Sequence, residues 1–141
     1  MMTRKRPSAR LLATSSLVIW CVSLALPGLT LYADKRVLFG MEILLTGWLS
    51  PLMLNFAWFA NVFYVFGVIK LLSGRVPWAS IVCAALLSLD TIRFAHYLLN
   101  EGGTTTPVYG YGWGAVLWFV AIFVLLAAAG LRRHEVAKDK G

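Results

Sequence analysis

The chain reads as an all-α membrane protein: a four-helix antiparallel transmembrane bundle with a short interfacial helix before the second crossing. Three observations predict that class. Of 141 residues, 60% are hydrophobic and 13% charged, with a mean hydropathy of +0.76, against about 25% charged in ordinary soluble domains. The apolar residues fall in long runs, and one crossing needs roughly 20 of them. The basic residues collect at the ends of those runs. Arg4, Lys5, Arg6, Arg10, Lys70, Arg75, Arg132, Arg133, Lys138 and Lys140 are ten of the thirteen Lys and Arg. That is the positive-inside pattern of a multi-pass protein with both termini cytoplasmic. It accounts for the net charge of +7 through topology and attraction to anionic headgroups, with no nucleic acid required.

Residues 1–10 form a basic cytoplasmic leader, and the first helix is predicted over 11–31, bent near its outer end by Pro27 and Gly28. A cleaved signal peptide begins in the same way. Its apolar core, however, is only about 7–15 residues long, and Leu31-Tyr32-Ala33 is a poor small-x-small site, so the run reads as an uncleaved anchor. The next run, 37–72, is interrupted only by Glu42, Ser50-Pro51, Asn55, Asn61 and Lys70. As one helix it would reach roughly 54 Å against a hydrocarbon core of about 30 Å. Pro51 disfavours helical geometry at Ser50, which divides the run into an interfacial helix over 39–49 and a second crossing over 52–72.

Ser73-Gly74-Arg75 makes an inner turn, and Pro77 with Trp78 opens a third helix over 77–99. The segment from Asn100 to Pro107 reads as a flexible outer loop without basic residues. A fourth helix over 110–131 follows Tyr109-Gly110-Tyr111-Gly112-Trp113-Gly114, whose glycines and aromatics suit a close helix crossing at an interface. Residues 11–131 thus form one domain, and 132–141 a basic, disordered cytoplasmic tail.

Asp90, Arg93 and His96 stand three residues apart in the third apolar run. Counted from Trp78 at about 1.5 Å per residue, Asp90 lies roughly 18 Å deep, Arg93 about 22 Å and His96 about 27 Å. His96 is then at the outer surface and Arg93 can snorkel to it. Asp90 is left to pair with Arg93 one turn on. Two roles are open: a charge pair that offsets its own insertion cost, or a site combining an acid, an anion-binding arginine and a titrating histidine. Asn55, Trp58 and Asn61 form a stripe on the second helix that either packs against the third or lines a cavity with Asp90. Glu42 is a further carboxylate near the same layer. The candidate ligand- or partner-binding residues are therefore Asp90, Arg93, His96, Asn55, Asn61 and Glu42.

No HExxH, GxSxG, P-loop or CxxC pattern is present, and Cys21 and Cys83 sit in apolar runs with no second thiol or histidine at ligand spacing. The sequence therefore predicts no catalytic residue, no metal and no cofactor. Gly47-Trp48-Leu49, Ala57-Trp58-Phe59-Ala60-Asn61 and Gly110-Tyr111-Gly112 before a last apolar helix together resemble a pattern in small uncharacterised bacterial four-helix inner-membrane proteins. The resemblance covers about two thirds of the chain and implies a bacterial inner (plasma) membrane location, but carries no known activity. The expected function is that of a small integral inner-membrane protein, a non-enzymatic interaction, accessory or immunity-type subunit. Its expected partners are the lipid bilayer and a protein, or further copies of itself. The alternative is a small oligomeric transporter or channel using Asp90 and Arg93.

Overall fold

The first and third apolar runs leave the helical conformation sooner than their composition suggests, and the second enters its long helix later. The computed structural model describes residues 8–98 and 102–138. In chain order it contains α1 (Ala9–Ala25), β1 (Pro27–Leu31), β2 (Val37–Phe39), α2 (Gly40–Thr46), α3 (Ala60–Leu72), α4 (Trp78–Leu89), β3 (His96–Leu98), β4 (Thr105–Tyr111) and α5 (Trp113–Lys138). Short 3-10 turns occupy Ala33–Lys35, Gly47–Met53, Ala57–Phe59 and Asp90–Arg93.

The expected all-α four-helix bundle is therefore corrected to helices joined to a four-stranded antiparallel sheet of order β2-β1-β4-β3. Among the described residues only α5 contains a segment, Trp113–Ala137, long and apolar enough to cross a membrane. Helices α1, α3 and α4 have 17, 13 and 12 residues. The multi-pass, four-crossing inner-membrane location that the sequence predicted is not supported by these lengths.

The departures have local causes. Ser8 caps α1, its Oγ accepting from the Leu11 N–H at 3.3 Å. The helix stops at Ala25, not 31, because Leu26 precedes Pro27 and is extended at φ −105°, ψ 156°, the conformation that a following proline imposes. The chain then continues as β1, where Leu29 lies opposite both Leu38 and Tyr111. The interfacial helix expected over 39–49 shortens to α2 and runs into the 3-10 turn that contains Pro51. Leu54, left-handed at φ 54°, breaks the chain again, and α3 starts at Ala60 where a start near 52 was expected. The third helix ends at Leu89, not 99, and β3 follows with His96 opposite Pro107. Asn100 and Glu101 of the expected loop lie outside the described residues, whereas Thr105–Pro107 belong to β4. The basic tail expected to be disordered is instead helical as far as Lys138. The leader residues Arg4, Lys5 and Arg6, and the tail residue Lys140, lie outside the described residues.

Two apolar cores result. One gathers Tyr64, Ile81, Ile122 and Leu125 between α1, α3, α4 and α5. The other sets Leu29, Leu31, Leu38 and Tyr97 of the sheet against Ile43 of α2. Helices α1 and α5 run antiparallel along each other through Ala9, Ala13, Ser16 and Ser23 on one side and Ala121, Ala128 and Ala129 on the other. Ser16 Oγ donates to the Ala121 carbonyl at 2.7 Å, so its 2.7 Å contact with the Tyr64 hydroxyl is one in which Tyr64 donates. Burial pushes the Tyr64 phenol up to about 12, which keeps that donor protonated.

The two cores meet at the last turn of α1. The Gly40 N–H donates to the Leu26 carbonyl at 3.0 Å and the Gly112 N–H to the Gly28 carbonyl at 2.9 Å. A methyl group on Gly114 would stand 2.7 Å from Leu26 O and 2.9 Å from both Ser23 O and Pro27 O. Gly40 and Gly112 are equally closed, against Ser23 O and Pro27 O. Gly114→Ala is expected to destabilise the protein by about 1–3 kcal/mol, because backbone must move to admit the methyl. Gly110→Ala, where nothing lies within 4 Å, is the matched control and should leave the thermal midpoint unchanged or slightly raised.

Candidate functional site

The polar residues of the apolar runs converge where the helices meet the sheet. Asp90 follows the last residue of α4 and spends its carboxylate on backbone: Oδ2 accepts from the Phe56 N–H at 2.7 Å. Its own carbonyl accepts from Asn55 Nδ2 at 2.8 Å. Asn55, 5% exposed, turns its Oδ1 to the Ala57 N–H at 3.1 Å and so starts the helical segment that leads into α3. Two side chains thus hold the beginning of that segment against the end of α4. Tyr111 on β4 closes the other side, its O–H shared between the Thr91 carbonyl at 2.8 Å and the Phe94 carbonyl at 3.0 Å. Burial raises its pKa, so the donor persists above the usual phenol range.

Arg93 meets Asp90 at 3.5 Å, with the arginine side chain 79% exposed and the aspartate 17%. The depth expected for Asp90 assumed a helix continuing to 99. With α4 ending at Leu89, Asp90 stands at a helix end beside a turn.

Asn61 forms a second polar centre. Its Oδ1 accepts from the Trp118 indole at 2.7 Å and the Trp20 indole at 3.2 Å, while its Nδ2 donates to the Trp58 carbonyl at 3.0 Å. One amide therefore ties α1, α3 and α5 together. The Trp58 indole in turn donates to the Leu44 carbonyl of α2 at 2.8 Å.

His96 and Glu42 stand apart: among the described residues no hydrogen bond or ion pair joins either to Asn55, Asn61 or Asp90. His96 is exposed on β3. Glu42 accepts from the Phe39 N–H at 3.0 Å and from Arg36 at 3.2 Å. The Phe39 amide, with Arg36 adding to it, holds the Glu42 carboxyl below the usual value.

Against these polar centres lies a cavity of about 110 Å³, reached by Asn55, Asn61 and Tyr111 and walled mainly by Leu29, Ile43, Trp58, Phe94, Tyr97 and Trp118. Ser50 also lines it. Trp20 and Trp118 are not singled out by the sequence, Tyr111 enters only within the interfacial aromatic and glycine motif, and Ser50 only as the residue before the break at Pro51. The available signal was the indole N–H of each tryptophan inside an apolar run, which needs an acceptor when buried. Among the described residues no three His, Cys, Asp or Glu side chains group closely enough to hold a metal ion. Comparison with family models, with curated proteins and with solved structures gave no match.

Asn61→Leu should orphan both indole donors and lower stability by about 1–3 kcal/mol. The drop reads in the denaturant midpoint, and the Trp20 and Trp118 indole proton resonances should move upfield.

Glu42 has a folded pKa below its unfolded one, so its contribution is complete above the usual glutamate value of about 4.3 and is lost as pH falls through the lower folded value. The Phe39 amide proton should titrate with a midpoint below about 4.3. In Glu42→Gln its shift should be flat over the same range.

Proposed function

We propose that this chain is a non-enzymatic interaction protein whose working surface is its apolar helical layer and whose partner is a lipid bilayer. The distribution of exposed apolar side chains carries this reading. Leu11, Val18 and Val22 on α1, Phe63, Phe66 and Ile69 on α3, Val82 and Leu86 on α4, and Val116, Val120 and Phe123 on α5 all face outward. Every one of the longer helices contributes. A standard protein partner covers about 800 Å² on one face and the largest apolar patch of a free monomer is usually about 300–600 Å², whereas a bilayer surface takes up apolar side chains presented by several helices.

Charge supports the same partner. The start of α1, the α3–α4 turn and the end of α5 come together, for the Ala9 N–H donates to Glu135 Oε1 at 3.2 Å and Arg132 lies beside Gly74. Arg10, Lys70, Arg75, Arg132 and Arg133 belong to that end of the helices. Each basic residue near an anionic leaflet adds about 1 kcal/mol.

The transporter reading has less support, because the Asp90 carboxylate is engaged with the Phe56 amide and Arg93 is largely in the open.

Vesicle flotation of the full chain, diluted out of detergent, tests the proposal. The chain should float with phosphatidylcholine vesicles, and more completely with added phosphatidylglycerol at low salt. Ile69→Lys with Leu86→Lys, both at exposed positions, should weaken flotation by at least about tenfold without altering the circular dichroism spectrum. A monodisperse monomer in detergent-free buffer that ignores vesicles would overturn the reading. A discrete homo-oligomer that does not float would also overturn it and assign the apolar rows to self-association.

A further inference from the structure

The cavity between the helix ends and the sheet presents an almost wholly apolar surface, although several polar residues border it. Their polar groups are turned elsewhere. Ser23 Oγ donates to the Trp20 carbonyl at 2.6 Å, and Asn55, Asn61 and Tyr111 hold backbone or indole groups. The Trp58 and Trp118 indole N–H groups are donated to Leu44 and Asn61, so both rings offer only apolar surface. Ser50 Oγ is buried and closed off, and Thr91 borders the space with its carbonyl already engaged by Tyr111. A space with so little to offer water stays dry, and the carbon atoms around it forgo dispersion contacts until something apolar fills it. The wall itself is held in place. A methyl on Gly28 would stand 2.5 Å from Ile43 Cδ1, and one on Gly47 2.6 Å from Trp58 Cδ1, so both side chains lean on bare backbone and the cavity is preformed.

From this arrangement we infer that the cavity receives the methyl end of an unbranched alkyl chain, with the remainder of the molecule outside. Size sets the depth. The volume of about 110 Å³ is below that of an apolar cavity of about 150 Å³ that accepts benzene, and it holds about four methylene-sized groups at roughly 30 Å³ each. An aromatic ring is therefore too large, and a thin chain is not. Chemistry sets the class. A wall with so little polar surface would strip a hydroxyl, a charge or a peptide group of its water and return no hydrogen bond. The cavity is half open to its surroundings, so a polar head stays outside while the chain end enters. Such an end belongs to the tail of a bilayer lipid and equally to a free fatty alcohol or acid. The lipid source rests on the bilayer reading proposed above, whereas the preference of the cavity for the chain does not.

NMR of the indole groups tests this on the full chain in a steroid-based detergent, whose rigid rings do not thread the cavity, with primary alkanols from ethanol to octanol as probes. Trp58 and Trp118 line the cavity, and Trp113, 73% exposed and off its wall, is the reference. The Trp58 and Trp118 resonances should shift saturably. Their affinity for free alkanol should rise about fourfold with each added carbon and level off beyond about four or five carbons. Neohexyl alcohol, the branched isomer of hexanol, should bind about tenfold more weakly than hexanol. Ala115→Leu, on the same wall, should abolish the saturable shifts. Ile43→Ala lengthens the space and should move the levelling-off about two or three carbons further, a gain that a folding defect does not produce. In phosphatidylcholine nanodiscs, loss of the hexanol shifts assigns the site to a lipid tail, and their persistence assigns it to free alkyl molecules. An affinity that climbs through octanol without levelling, as partition into micelles does, would overturn the inference. So would equal shifts at Trp113, saturable shifts that survive Ala115→Leu, or a branched chain bound as tightly as hexanol. A chain that fails to float with vesicles leaves the alkanol series in detergent as it is, so the two readings fail separately.

Discussion

The end of α1 has almost no room around it, and the architecture follows from that. Three glycines, Gly40, Gly112 and Gly114, bring backbone against the carbonyls of Ser23, Leu26 and Pro27, so that the start of α2 and the start of α5 both rest on one helical turn. Because α2 and α5 lead from β2 and β4, the same turn decides where the sheet lies relative to the helices. A side chain at any of these positions would pry the helical core from the sheet core. The cavity lined by Ser50 is the space left beside this contact, bordered by Gly40 and Gly114.

Once that contact is made, the polar side chains of the apolar segments have specific tasks. Asn61 accepts from indoles on two other helices, and Asn55 and Asp90 together start one helical segment and finish another. In surroundings this apolar, a side-chain amide is worth keeping only if each of its groups is paired, since an orphaned donor costs more than the bond contributes. These residues therefore read as joints. Ser50 is different in kind, because nothing within the described residues answers it.

Part of this was legible in the sequence. The apolar centres of α1, α3, α4 and α5 coincide with the four runs, and the three-residue spacing of Asp90 and Arg93 gave their contact. The strands were not legible. Pro27–Leu31 continues an apolar run and His96–Leu98 lies within one broken only by Asp90, Thr91 and Arg93, and short apolar stretches do not separate strand from buried helix by periodicity. What decides between the two is pairing with β4, which is remote in sequence and leaves no local mark. The same holds for the tryptophans on Asn61, whose partnership depends on three helices meeting. The assumption that apolar runs stay helical to their ends also produced the depth arithmetic for Asp90, which a helix ending at Leu89 removes.

The strand order has a consequence for how the protein is made. Central strand β1 is translated early relative to its neighbour β4, which follows only after α4 and β3, so Leu29 waits for Tyr111. At about 5–20 residues per second that delay lasts several seconds. During this time the β1–β2 hairpin presents an open edge, and α1 lacks α5, the helix it contacts most extensively. Native closure therefore waits for β4 and α5, and the nascent chain depends until then on whatever shields that edge.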